Sequence, residues 1–301
     1  MELETRSKGV VGAGSFGFIF VHLIPLAAIW TGATAFDWFV CVSLYFIRMF
    51  FITGVYHRYF SHRTYKTSRW FQFFLAFMAE TSVQKGVLWW AAHHRVHHRT
   101  SDTPEDPHSM KLYGFWYSHL GWILGPDYKE THFKLIQDYA KFPELRWLNK
   151  NHIVPVVFLA TVVAALGGYV NGGSISMIVS PDGGLSTLLI GFFLSTVFLY
   201  HGTFSINSIM HKFGRQRYKT GDESRNNLIL ALLTLGEGWH NNHHYYMSST
   251  RQGFYWWEID ITYYILKTLS FVGLVWDIQE VPEKVRNSNF IEGSRESQKA
   301  A

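Results

Sequence analysis

Four apolar runs stand out along the chain: roughly Gly14 to Ala35, Phe36 to Tyr56, Ile153 to Val170 and Leu185 to Ile206. Each is close to the roughly 20 residues that a helix needs to cross the hydrocarbon core of a bilayer. No Lys or Arg occurs from Gly9 to Ile47 or from Asn151 to His211, so all the basic residues lie outside these two silent stretches. The joints inside them, TGATAFD and NGGSISMIVSPDGG, hold turn formers and acids but no basic residue. The positive-inside rule then places the N-terminus, His57 to Lys150 and everything after His211 in the cytosol.

The pattern predicts an all-α membrane protein: four transmembrane helices in two hairpins under a helical cytosolic cap. The expectation is a single domain over 1–301, with the cap formed by 57–150 and 207–286 and a disordered tail over 287–301. Trp70 to Ala79 is apolar but too short to cross, which suits a helix in the interface or one packed under the cap. Ser248 to Leu274 is rich in Trp and Tyr, the rings of headgroup-level anchors, and reads equally well as a core helix of the cap. Arg48 lies inside the second run, where a charge is costly; the expectation is that its helix continues past the bilayer.

Composition agrees with this reading. Apolar residues make up 48% and charged residues only 16%, a low charge content for a soluble protein of this size. A cleavable leader is not expected from the first run, because no small-residue cleavage site follows it and a second apolar run comes at once. A net charge of +5 suits a face resting on anionic lipid better than nucleic acid. The single cysteine, Cys41, excludes an internal disulfide and an iron–sulfur cluster held by this chain's own thiolates.

The chemistry lies in the histidines. His94, His97 and His98 in HHRVHH, and His240, His243 and His244 in HNNHH, repeat one His-x-x-His-His pattern. Chance would produce it about 0.04 times in such a chain. Positions i, i+3 and i+4 share a helix face, so each copy aims three imidazoles at a common point, and six rings exceed what one structural ion needs. The chain is therefore expected to hold two metals. His57 and His62 in HRYFSH are about 140° apart on an ideal α-helix, so that helix must end or bend between them. Asn207 and His211 in NSIMH share a face. Ligating imidazoles need acceptors on their other nitrogen; Asp106 and Glu237, near the boxes in sequence, are the candidates.

In their order, HRYFSH, HRVHH, NSIMH and GEGWHNNHH resemble the histidine boxes of the membrane fatty-acid desaturases of the stearoyl-CoA desaturase type. The likeness extends through DTPEDPHS and FWYSHLGWIL and covers most of residues 50–260. It implies a diiron centre with His57, His62, His94, His97, His98, His211, His240, His243 and His244 as ligands, Asn207 reaching one iron through water, and a bent acyl tunnel shaped by Gln84, Trp90 and Thr203. Lys85 and Lys111 are candidate contacts to an anionic head group. His93 stands where the animal enzymes have an acid, Ser109 to Tyr113 is slightly longer and the N-terminal extension is short; these departures suggest a bacterial member, in the inner membrane with its active site facing the cytosol.

The resemblance implies oxygen-dependent desaturation of a saturated acyl chain, carried as acyl-CoA or acyl-lipid and most simply acyl-CoA at the delta-9 position. No His-Pro-Gly-Gly haem motif, flavin fingerprint or cluster cysteines occur, so electrons must come from a separate ferredoxin, cytochrome or flavoprotein reductase. The rivals are a histidine-box lipid or alkane hydroxylase and a membrane metal transporter; the latter expects a polar path that the apolar runs do not offer. His22 and His201, within the apolar runs, would make a weak pair of haem ligands. His108, His119, His132 and His152 are read as hydrogen-bonding or interfacial residues.

Overall fold

The structure, a computed structural model, describes residues 14–125 and 130–292. Among these, three helices are long and apolar enough to cross a membrane: Ala35–Ser61 (α2), Ile153–Gly172 (α5) and Pro181–His211 (α6). The first expected span is a shorter apolar helix, Ser15–Thr31 (α1). Pro25 interrupts it, since the ring removes a backbone donor, and Ile24–Ala27 tightens to a 3-10 turn. Gly32, with φ 69°, closes the helix, and Thr34 with Asp37 forms a capping box that opens α2.

At the end of the bundle away from the histidines, Asp37 joins three helices. Its carboxylate accepts from Thr187 at 2.5 Å and from Asn171 at 2.9 Å. α5 and α6 approach so closely that small residues are required: a Cβ on Gly184 would meet the carbonyl oxygens of Ile178 and Ala164 at 2.2 and 2.3 Å. Both are backbone atoms that cannot swing aside, so Gly184→Ala is expected to cost roughly 1–3 kcal/mol, read as a lowered melting temperature in detergent.

Arg48 corrects one expectation. Its helix does continue to Ser61, but the side chain neither snorkels nor rides clear of the apolar segment; it turns inward and is 1% exposed. The guanidinium donates to the Ser195 and Thr196 hydroxyls at 2.5 and 2.7 Å and reaches the carbonyls of Leu44, Thr81 and Phe192. Oxygen ligands from two neighbours replace water around the charge, which a hydropathy profile cannot register.

Around the C-terminal part of α2, a core of Tyr56, Phe60, Leu75, Leu88, Leu145 and Leu266 gathers Arg69–Glu80 (α3), Val87–Thr100 (α4) and Ile261–Phe271 (α8). α3 is packed into this core through Leu75 and Ala79 while Trp70 stays exposed. The Ser248 to Leu274 segment divides the same way, with Phe254 and Tyr263 buried and Trp256 exposed. Lys66–Thr67 (β1) pairs antiparallel with Val275–Trp276 (β2), bringing that segment beside the stretch that follows His57 and His62. The tail expected to be disordered from Asn287 is docked as far as Glu292: Ile291 donates to Arg217, Lys219 donates to Asn289, and Phe290 stacks on Tyr218. Residues 293–301 lie outside the described residues.

Candidate metal centre

The last eleven residues of α2, Phe51–Ser61, are wound as a π-helix. This answers the spacing problem of His57 and His62. Hydrogen bonds in π winding run from i to i+5, and His62 N–H donates to the His57 carbonyl at 3.2 Å. Five residues then make about one turn, so the two rings sit one above the other with centroids 4.8 Å apart. The helix neither breaks nor bends before His62; it widens, and ends there.

α4 presents its three boxed histidines on one face, and Arg95 within it clamps the helix in place. Arg95 donates to the Phe60 and Ser61 carbonyls at the end of α2 and makes a two-pronged pair with Asp138 at 2.9 and 2.8 Å. His211 ends α6, and the short helix His240–Tyr245 (α7) carries the last three rings. Asn241 and Asn242, between the box histidines, are anchors that sequence reasoning missed. Asn241 accepts from the Arg217 and Tyr218 amides, while Asn242 accepts from Asn226 and donates to Glu258 and the Gln252 carbonyl. Saturated on all sides, they fix the rotation of a helix too short to hold itself.

The nine rings fall into two groups, His57, His62, His94, His98 and His243 in one and His97, His211, His240 and His244 in the other, with nitrogens in each within 4.8 Å of one another. His243 Nε2 lies 3.0 Å from Nε2 of both His57 and His98; His62 and His94 are 2.9 Å apart, His211 and His240 3.0 Å. Three carboxylates settle which nitrogen carries hydrogen. Glu237 holds His57 Nδ1 at 2.5 Å, Asp106 holds His97 Nδ1 at 2.9 Å and Asp222 holds His244 Nδ1 at 2.7 Å. The Nε2 lone pairs of those rings must then face inward, and His244 Nε2 is buried there without a hydrogen-bond partner. Crowded lone pairs without enough hydrogens between them are the donor set of a cation, so each group fits a metal ion.

Electrostatics point the same way. Burial pushes His62, His94, His98, His240 and His243 well below the usual imidazole range, and their neighbours' rings add to it; they are neutral and available as ligands. Burial opposes ionisation of Asp106, Asp222 and Glu237, yet the histidines they hold outweigh it and keep all three below the usual carboxylate range. Glu237 also meets Arg58, itself paired with Asp260 at 2.9 Å.

Asp106 and Glu237, the two acceptors expected from the sequence, lie against His97 and His57; Asp106 also closes its own turn by accepting from the Asp102 and His108 amides. Asp222 was missed, since it is far from either box in sequence and its GDES setting carries no signal. Trp90, Thr203 and Asn207 line a cavity between the two groups. Gln84 stands behind them, donating to Thr203 at 3.0 Å and accepting from Trp90 at 3.3 Å. Lys85 and Lys111 lie apart: Lys85 sits over the Trp89 ring at the rim of an open groove with Arg146, Lys150 and His152, and Lys111 lies 3.8 Å from Glu223.

Residues 33–272 match the sequence profile of the family described as fatty acid desaturase. The chain is 36% identical over 282 residues to an sn-1 stearoyl-lipid 9-desaturase of Synechocystis, covering 89% of this chain and 80% of that one. It is 34% identical to the sn-1 stearoyl-lipid 9-desaturase of Anabaena variabilis over 77% of this chain and 80% of that one. An acyl-CoA 5-desaturase of Anemone leveillei is 33% identical over 88% of this chain and 78% of its own. The match falls on a chain whose described residues include three helices long and apolar enough to cross a membrane and two histidine groups that could hold metal. The chain belongs to the fatty acid desaturase family.

Proposed function

We propose that this protein removes two neighbouring hydrogens from a saturated fatty acyl chain, with dioxygen as co-substrate, to give a cis monoene. His57, His62, His94, His98 and His243 would hold one iron ion and His97, His211, His240 and His244 a second, with Asn207 placed to reach one of them through water. The observation that carries this reading is the meeting of nine imidazoles in two adjoining groups. When bound, the iron pair supplies the oxidising power to attack an unactivated C–H bond, and neutral ligands leave it the positive charge that this requires.

The polypeptide supplies position. All methylenes of a saturated chain react alike, so the double bond is placed by the distance from head group to metal. Trp90, Gln84 and Thr203, tied into one hydrogen-bonded corner, shape the wall against which the chain bends. Lys85, with Arg146 and Lys150 on the rim of its groove, suits an anionic head group, and the preferred assignment is acyl-CoA with the bond at the delta-9 position. Lys111 is a further candidate contact for that group. Electrons come from a separate ferredoxin, cytochrome or flavoprotein reductase. α1 completes a set of four spans in two hairpins, with the site on the cytosolic side of a bacterial inner membrane.

Expression in a host unable to make unsaturated lipid, followed by location of the double bond by mass spectrometry, tests the whole reading. A delta-9 monoene from the acyl-CoA pool is the expected product. A hydroxy acid would identify a hydroxylase instead, and metal uptake without oxygen consumption would identify a transporter. A second expectation concerns Asp222. Asp222→Asn loses the charge that holds His244 in its tautomer and is expected to weaken metal binding about 10- to 100-fold, measured by chelator competition.

A further inference from the structure

The turn that joins α3 to α4 is strained at two points. Val83 and Lys85 both lie in the left-handed region, with φ of 59° and 62°, a conformation that glycine adopts freely and a β-branched valine resists. Such residues persist only where their surroundings over-determine them. Here two buried tyrosines do so. The Tyr200 hydroxyl donates to the Val83 carbonyl at 2.8 Å, and the Tyr56 hydroxyl donates to the Lys85 carbonyl at 2.6 Å. The far end of the turn is fixed from the other side. A Cβ on Gly86 would lie 2.6 Å from the Asn149 Cα, and the Val87 amide donates to the Glu80 carboxyl at 3.0 Å.

We infer that Tyr56 and Tyr200 are positioning residues that set the place of the double bond by holding the turn 83–85. This inference rests on the proposed desaturase reading. Between the two strained residues stands Gln84, whose side chain turns inward to Thr203 and Trp90 on the cavity wall. Lys85 turns the other way, to the Trp89 ring at the rim of the basic groove. Neighbouring Cα atoms are about 3.8 Å apart, so one short piece of backbone carries both the corner where the acyl chain bends and the candidate contact for its head group.

The two hydroxyls refer that piece of backbone to the metal ligands. Tyr56 immediately precedes His57 in α2, and Tyr200 is on α6, the helix that ends in His211. A turn released from either hydroxyl relaxes toward ordinary backbone angles, and corner and head-group contact then move together relative to the histidines. Because the methylenes of the chain are equivalent in reactivity, such a movement presents a neighbouring pair to the centre. The rings themselves pack elsewhere, Tyr56 on Trp90 and Tyr200 between Phe18 and Phe204. Phenylalanine keeps those contacts and removes only the hydroxyl, which makes the test clean.

Two measurements decide it. In full-length protein expressed in a host unable to make unsaturated lipid, Tyr200→Phe and Tyr56→Phe are each expected to raise the ratio of a neighbouring positional isomer to the main product about fivefold, the loss of one buried hydrogen bond. Tyr65→Phe is the control. It loses a comparable buried bond, to the Gly54 carbonyl at 2.9 Å, away from the turn, and is expected to keep the wild-type ratio. In the zinc-loaded proteins, amide hydrogen exchange over residues 82–87 should quicken in both turn variants and stay at the wild-type rate in Tyr65→Phe. An unchanged isomer ratio in either turn variant, an equal change in Tyr65→Phe, or unchanged exchange in the turn refutes the inference and leaves the tyrosines as braces. Absence of monoene from the wild-type protein would refute the desaturase reading instead.

Discussion

His243→Ala is expected to reduce product formation by roughly three orders of magnitude or more, with loss of metal from the first group. No other ring is so central: its Nε2 is within 3.0 Å of two partner nitrogens on two different helices, and it is buried on a helix whose rotation is fixed by Asn241 and Asn242. Metal analysis beside the activity assay separates the causes. Near-normal metal content with full activity would show that the ring is packing, not ligation. The fold itself should persist, since the asparagine contacts do not involve position 243.

Glu237→Gln is expected to strike stability and metal together. The carboxylate accepts from His57 Nδ1, Arg58 and Gln252 at once. The amide keeps the shape but removes the charge, leaving Arg58, 1% exposed, with Asp260 as its remaining counter-ion. Breaking one side of a buried ionic network costs about 3 kcal/mol or more. The sign with pH follows from the direction of the shift: a carboxyl held below its ordinary value stabilises the fold above the unfolded pKa and ceases to do so as pH falls through the folded one. The wild-type advantage over Glu237→Gln should therefore be full at neutral pH and shrink in acid. Thermal melts of both proteins across that range check it; parallel curves would count against an ionised Glu237.

Much of this was legible in residue order because helical spacing is a local rule. His-x-x-His-His states its own geometry, and apolar runs state their length, so α2, α5 and α6 stand close to where hydropathy put them. What depends on a partner distant in the chain was not legible. Arg48 reads as an anomaly in an apolar run until Ser195 and Thr196 are seen around it. Asp222 becomes an acceptor only when its loop reaches His244. The His57 and His62 spacing looked like a break because an α-helical period was assumed; the π winding that reconciles them is set by tertiary packing. Pro25 was visible, yet its consequence, a 3-10 turn inside α1, needed coordinates.

The inward-turned Arg48 restricts how an acyl chain could enter. Within a bilayer, parting α2 from α6 at this level would strip a guanidinium of its hydroxyl and carbonyl shell and expose it to hydrocarbon. That seam is therefore welded shut, and any doorway for a lipid chain must open along another face of the bundle.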